Sequence, residues 1–181
     1  MQFKTKFFGI LLLVVLMAAF ISGPVQAQEV ATGSANATVL AVLAVTSVQD
    51  LNFGNVLQGV PTSADIDVVA EAADFQVGGA AGSEVALYLQ LPEYLWNSTN
   101  TDRMIISFGS TDSEIDPFLA GDAANKSGSE TVEDPYNLTA TALGADNGLH
   151  VYLAGTIFPA VDQAVGAYSA DIVLTAAYTG N

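Results

Sequence analysis

"SEVALYLQLP", residues 83–92, sets Val85, Leu87, Leu89 and Leu91 on one side of an extended chain and Glu84, Tyr88 and Gln90 on the other. Successive side chains of a strand point to opposite faces, so this alternation of period two predicts a strand with one face buried. The rhythm returns in "RMIISF" (103–108), where Met104, Ile106 and Phe108 oppose Ile105 and Ser107, and in "GLHVYLAG" (148–155), where Leu149, Val151 and Leu153 oppose His150 and Tyr152. It closes the chain in "GAYSADIVLTAAYTGN" (166–181), with Tyr168, Ala170, Ile172, Leu174, Ala176 and Tyr178 on one face. Shorter alternating runs near Ile66–Val69, Phe75–Val77 and Leu138–Ala142 are separated by Gly, Pro, Asn and Asp, residues that favour turns. No stretch after the first 27 residues carries a helical apolar stripe. The expected fold is therefore all-β: an immunoglobulin-like antiparallel β-sandwich of about seven to nine strands, with a barrel as the minor alternative.

The beginning of the chain reads differently. Lys4 and Lys6 precede a 15-residue apolar run, "FFGILLLVVLMAAFI", and Val25 and Ala27 stand at the small-residue positions of a cleavage site. The run is shorter than the roughly 20 residues of a membrane-spanning helix. Residues 1–27 are thus expected to be a cleaved secretory signal peptide, with no stable membrane insertion after its removal. The product is expected in the periplasm, at the cell surface or outside the cell. Residues 28–46 read as an N-terminal extension and first strand, and 47–181 as the sandwich.

Beyond residue 27 only Arg103 and Lys126 are fixed cations, against 19 Asp and Glu in the chain. Such an excess of negative charge disfavours nucleic acid as a partner and suits a solvated acidic coat. The chain has no cysteine, so it has no disulfide framework or thiolate site. Catalytic signatures of the G-x-S-x-G, H-E-x-x-H and phosphate-loop kinds are missing. The single histidine, His150, reads as an ordinary strand-surface residue rather than a catalytic base. No enzymatic activity and no cofactor are expected.

Ser110–Asn137 is long, acidic and rich in Gly, Ser, Asp and Pro, and reads as surface loop. Asp112, Glu114 and Asp116 alternate like calcium ligands there. However, Pro117 occupies the place where an EF-hand loop needs Gly, and incidental calcium is the weaker expectation. Tyr94 and Trp96 could stack on a sugar if exposed together, although core or rim packing is the commoner use of such a pair.

The segment after the leader, "QEVATGSANATVLAVLAVTSVQDLNFG", alternates small residues: Ala31, Ala35, Ala37 and Val39 share a face with Ala41, Leu43 and Val45. It is too long for one ordinary domain strand. Either it switches between the sheets of its own sandwich, or its first half reaches outside the domain.

Three further stretches carry a family resemblance: "LNFGNVLQG" (51–59), "LPEYL" (91–95) followed by "MIISF" (104–108), and "LAGTIFPAVDQAVGAYSADIVLTAAY" (153–178). In this order they resemble the bacterial secreted family called domain of unknown function 4402, over nearly the whole chain after the leader. Leu51, Phe53 and Gly54 match its Leu-x-Phe-Gly signature. Gly155, Gln163, Gly166 and Tyr168 match its closing Gly and Gln-x-x-Gly-x-Tyr element. The outline also resembles, more distantly, the spore-coat-U type pilins of archaic chaperone–usher systems, which usually carry cysteines.

Read physically, these signature residues are architectural. Phe53 anchors an inner face, Gly54 permits a bend, Gly166 turns the chain into its last strand, and the Tyr168 hydroxyl bonds a turn backbone. The resemblance implies a structural protein of the envelope or surface, fimbrial or pilin-like. The pilin-like relatives imply partners that are other copies of itself or related envelope subunits, joined by strand addition with Ala31, Ala35, Ala37 and Val39 as donor positions; the equal expectation is that Ala31–Val39 pair with Tyr168–Tyr178 of the same chain and complete their own domain. A monomeric extracellular module binding carbohydrate or calcium is the alternative expectation.

Overall fold

A computed structural model describes residues 29–180, and the expected signal peptide lies outside the described residues. The chain divides into two units between Thr38 and Val39. In the first, residues 29–38 form no strand and their side chains are exposed.

The second unit is all-β. Its strands are β1 (Ala44–Gln49), β2 (Thr62–Ala64), β3 (Ala73–Gly78), β4 (Glu84–Gln90), β5 (Tyr94–Asn97), β6 (Arg103–Ser107) and β7 (Ser113–Asp116). They continue as β8 (Thr131–Glu133), β9 (Thr141–Ala142), β10 (Gly148–Leu153), β11 (Gly155–Phe158), β12 (Tyr168–Ser169) and β13 (Val173–Tyr178). The seven to nine strands expected become thirteen because four ladders only two or three residues long count separately.

The antiparallel pairings build three sheets, ordered β1-β3-β10-β7-β8, β12-β5-β6-β11-β2 and β13-β4-β9. The alternation read in the sequence explains which faces meet. Val85, Leu87 and Leu89 of β4 are buried while Ala86, Tyr88 and Gln90 are exposed. In β6 it is Met104 and Ile106 that are buried. Phe75, Val77, Leu149, Val151 and Leu153 from the first sheet join Met104, Ile106 and Ile157 from the second and Val85, Leu87, Leu89 and Leu174 from the third in one core. Each such side chain contributes about 1.5–3 kcal/mol by leaving water, which is how a chain without disulfides holds together.

Two expectations are corrected. Ser110–Asn137 is not all loop, because β7 and β8 lie within it. The Ser113–Asp116 run is short, yet Ser113 and Ile115 are fully buried against β10. Nor is His150 a surface residue: it is 2% exposed. It does point to the outer face of the first sheet, as alternation requires, but the segment 117–130 folds back as a strap over that face and buries it.

The last stretch is also divided. Tyr168 and Ser169 pair with β5 in the second sheet, whereas Val173–Tyr178 pair with β4 in the third. Between β10 and β11 the chain passes directly from the first sheet to the second. A Cβ on Gly155 at that crossing would lie 3.1 Å from the Phe108 ring, so the close approach favours glycine.

Candidate functional site

Sheet edges expose unpaired N–H and C=O groups, and proteins usually keep such edges short or covered. Four of the six edges obey this: β2, β8, β9 and β12 are each two or three residues long. The other two, β1 and β13, have six residues each. Among the described residues, each pairs on one side only, β1 with β3 and β13 with β4.

The exposure of β1 is unusual as well. Val45 is 39% and Val48 53% exposed, and a register shift between Ser47 and Gln49 leaves Val48 unpaired in the ladder. At one end the two edges are tied together, because the Tyr178 hydroxyl accepts from Ala80 N at 2.8 Å and donates to Ala41 O at 2.9 Å. At the other, Ser47 of β1 and Val173 of β13 both line a cleft of about 1120 Å³. Its apolar lining includes Phe75, Leu95, Met104, Ile106, Ile157 and Ile172.

The signature residues are found around this cleft. Leu51 and Phe53 are half-buried against the core and line it, and Gly54 turns the chain there with φ of 62° while Asn52 Oδ1 accepts its N–H at 2.9 Å. Gln163, Gly166 (φ 155°) and Tyr168 line the opposite side. Gly155 lies apart from them, at the sheet crossing.

Gln163 and Tyr168 meet at a residue the sequence did not single out, Asp102. Gln163 Nε2 donates to Asp102 Oδ2 at 2.8 Å, and Ala164 N donates to the same oxygen at 3.0 Å. The Tyr168 hydroxyl lies 2.6 Å from Asp102 Oδ2 and 2.8 Å from Ala164 O, its one proton serving either acceptor. Ala160 N donates to Gln163 Oε1 at 3.1 Å, and Gln58 Nε2 donates to Gln163 O at 2.5 Å. The loop 159–167 is thereby moored to the β5–β6 turn. The Tyr168 hydroxyl foremost, with the Ala164 amide, holds the Asp102 carboxyl below its ordinary value against a smaller opposing effect of burial. No local pattern marks Asp102 in the sequence, since an acid after "NSTNT" reads as any turn residue.

The proposed donor positions, Ala31, Ala35, Ala37 and Val39, are all exposed and outside any strand, Val39 being 94% exposed.

The acids considered for calcium have other partners. Asp112 Oδ2 accepts from Gly109 N at 2.7 Å, Glu114 pairs with Lys126, and Asp116 accepts from Ser127 N at 2.7 Å. Among the described residues no group of three or more His, Asp or Glu is placed to hold a metal.

Trp96 is 38% exposed, and its ring centroid lies 6.5 Å from that of Tyr94. The Arg103 guanidinium sits 4.1 Å from the Tyr94 ring centre and 5.7 Å from that of Trp96, so it covers Tyr94 closely and Trp96 more loosely.

No protein-family model matches the chain, and no curated protein matches it.

Proposed function

We propose that the protein is an exported, non-enzymatic structural component of the cell envelope or surface, pilin-like, that assembles by β-strand addition. The observation that carries this reading is that its two long edges, β1 and β13, unpaired on one side among the described residues, both border the cleft, whose lining is polar and apolar in nearly equal part. A strand laid there would pair with exposed backbone while alternate side chains enter the cleft. The segment with Ala31, Ala35, Ala37 and Val39 suits that role in a neighbouring copy. Small alternating side chains fit between sheets, and a segment outside the sheets gives up no ladder to be donated.

The test compares residues 28–181 with a truncation beginning at Thr38, by sedimentation and melting, with and without a peptide of residues 29–42. Concentration-dependent oligomers of the longer chain, together with peptide binding by the truncation, are expected. A longer chain that stays monomeric at high concentration, with a truncation that ignores the peptide, would refute strand addition.

A second reading, a carbohydrate-binding module, rests on the exposed Trp96 ring. It requires glycan-array hits that vanish in Trp96→Ala.

A further inference from the structure

The outer face of the first sheet carries a group of buried ionisable side chains to which strand addition gives no role. His150 stands on β10 with Asp74 beside it on β3 and Asp116 on β7. Asp74 and Asp116 are 5% and 0% exposed. His150 Nδ1 lies 2.6 Å from Asp74 Oδ1, and Nε2 lies 3.1 Å from the carbonyl oxygen of Leu119, which belongs to the strap. Tyr152 stacks on the imidazole with centroids 5.5 Å apart.

Both ring nitrogens therefore face acceptors. Neutral imidazole has a single N–H and can satisfy only one of them, whereas imidazolium satisfies both. When the proton leaves, the remaining N–H stays with the carboxylate, the stronger acceptor. A nitrogen lone pair then confronts the Leu119 carbonyl, and the positive charge between two buried carboxylates is gone.

We propose that the 117–124 half of the strap is a pH-operated latch, shut over the sheet while His150 is an imidazolium and opened when His150 loses its proton. The rest of the strap has fastenings of its own. Asp116 accepts from Ser127, and Lys126, only 7% exposed, pairs with Glu114 and with Asp67 while its ammonium lies 5.3 Å from the Tyr152 ring. The Leu119 corner is held otherwise by Asp146, whose Oδ2 accepts from Leu119 N at 2.7 Å and Ala120 N at 3.1 Å. Opening is thus local, hinged on the Lys126–Ser127 end. The closed state also leaves the buried Tyr152 hydroxyl without a partner among the described residues, and water admitted by opening would supply one.

The groups facing His150 are Asp74 from β3, Asp116 from β7 and Tyr152 from β10, and around the stacked Tyr152 ring lie Glu114 from β7 and Lys126 and Asp122 from the strap. Asp146 acts from the β9–β10 turn. Burial is the largest single influence on His150 and favours the neutral form. It is outweighed by the Asp74 bond, the Leu119 carbonyl and the charges of Asp74 and Asp116, so the net displacement is upward. The latch is accordingly shut below the ordinary histidine value of 6.5 and opens as pH rises through the raised one.

Because the chain has one histidine, its imidazole NMR signals report this residue alone. The mature chain would be titrated from about pH 5.5 to about pH 9, bracketing the ordinary histidine value near 6.5. Hydrogen exchange would be followed in parallel at Leu119 and Ala120 and, as controls, at the core amides of Leu149 and Val151. After correction for intrinsic base catalysis, protection at Leu119 and Ala120 should fall about tenfold or more with the midpoint of the His150 titration, the scale of a lost charge-assisted hydrogen bond. The core amides should keep theirs. Asp74→Asn should lower both midpoints together, and His150→Gln should make strap protection independent of pH. Unchanged strap protection through the titration, an equal loss at the core amides, or a pH-dependent strap in His150→Gln would overturn the latch. The unsubstituted chain decides the first two even if a variant fails to fold.

Discussion

Replacing Gln163 with leucine tests whether the signature residues hold the cleft in shape. The side chain is 6% exposed. Its Oε1 accepts from Ala160 N at 3.1 Å, and Nε2 has three acceptors in reach, the Tyr168 hydroxyl at 3.0 Å, the Arg103 carbonyl at 3.3 Å and Asp102 at 2.8 Å. Leucine is close in volume, so packing changes little and the loss is one of hydrogen bonding. With neutral bonds at about 1 kcal/mol each, the Ala160 bond and one Nε2 bond together give about 2 kcal/mol. Nothing is added for the Asp102 carboxylate, which is only partly buried and regains water. For a domain of this size about 2 kcal/mol lowers the melting temperature by about 4–8 °C, readable by calorimetry. Gln163→Glu places a carboxylate against Asp102 and should be worse at neutral pH, recovering on acidification. Binding of the 29–42 peptide should weaken in both variants, since the loop that Gln163 moors lines the cleft. A Gln163→Leu protein that melts within about 1 °C of the parent would refute the reasoning, because about 2 kcal/mol cannot vanish from a two-state transition.

Asp102 has a lowered folded value, so its contribution is complete above the unfolded value of 3.8 and is lost as pH falls through the folded one. Urea midpoints should decline across that acid range, and less steeply in Asp102→Asn; equal slopes would remove Asp102 from the acid response. Lys126→Met strips Glu114 of its cation and should cost about 3 kcal/mol, near the low end for a broken buried pair because Asp67 stays 71% exposed. Adding Glu114→Gln should restore part of this in a double-mutant cycle. Leu149→Ala, at a fully buried position between β3 and β7, should cost about 2–5 kcal/mol by urea denaturation, whereas Ile105→Ala on the exposed face should stay within about 0.5 kcal/mol.

What could be read from the sequence was what local periodicity encodes. The faces of β4, β6 and β10 follow from alternation alone, as do the burial of Leu174 and the half-burial of Tyr168, Ile172 and Tyr178 in the last stretch. Alternation gives the face but not what covers it. Alternation puts His150 and Tyr152 on the correct side of β10 but does not show that they are buried, because the strap that covers them comes from residues 117–130 and its fastenings are long-range. The Asp102 contacts with Gln163 and Tyr168 were hidden for the same reason. β7 escaped notice because a four-residue run that is buried on three positions has too little alternation to stand out among Gly, Ser and Asp. Where one strand was expected from Tyr168 to Tyr178, the chain changes sheets between Ser169 and Val173, and neither run signals that change by composition.

The mooring of the 159–167 loop bears on why the cleft is open at all. Val161 and Val165 are 84% and 97% exposed, and Val165 borders a cleft it could fill at a gain in buried surface. It is kept out because the flanking residues are fastened to the β5–β6 turn: Gln163 and Ala164 to Asp102, and Tyr168 to Asp102 and Ala164 O. Releasing those bonds would let the loop settle over the partly buried Leu51, Phe53, Leu95 and Ile172 and close the site from within. An Asp102→Ala protein should therefore bind the 29–42 peptide less well and dye probes of exposed apolar surface less strongly, a joint loss that simple destabilisation does not produce, since loosening a core raises dye binding. Raised dye binding in Asp102→Ala would show instead that the network merely supports the core, and would remove the reason for linking the signature residues to the open edge.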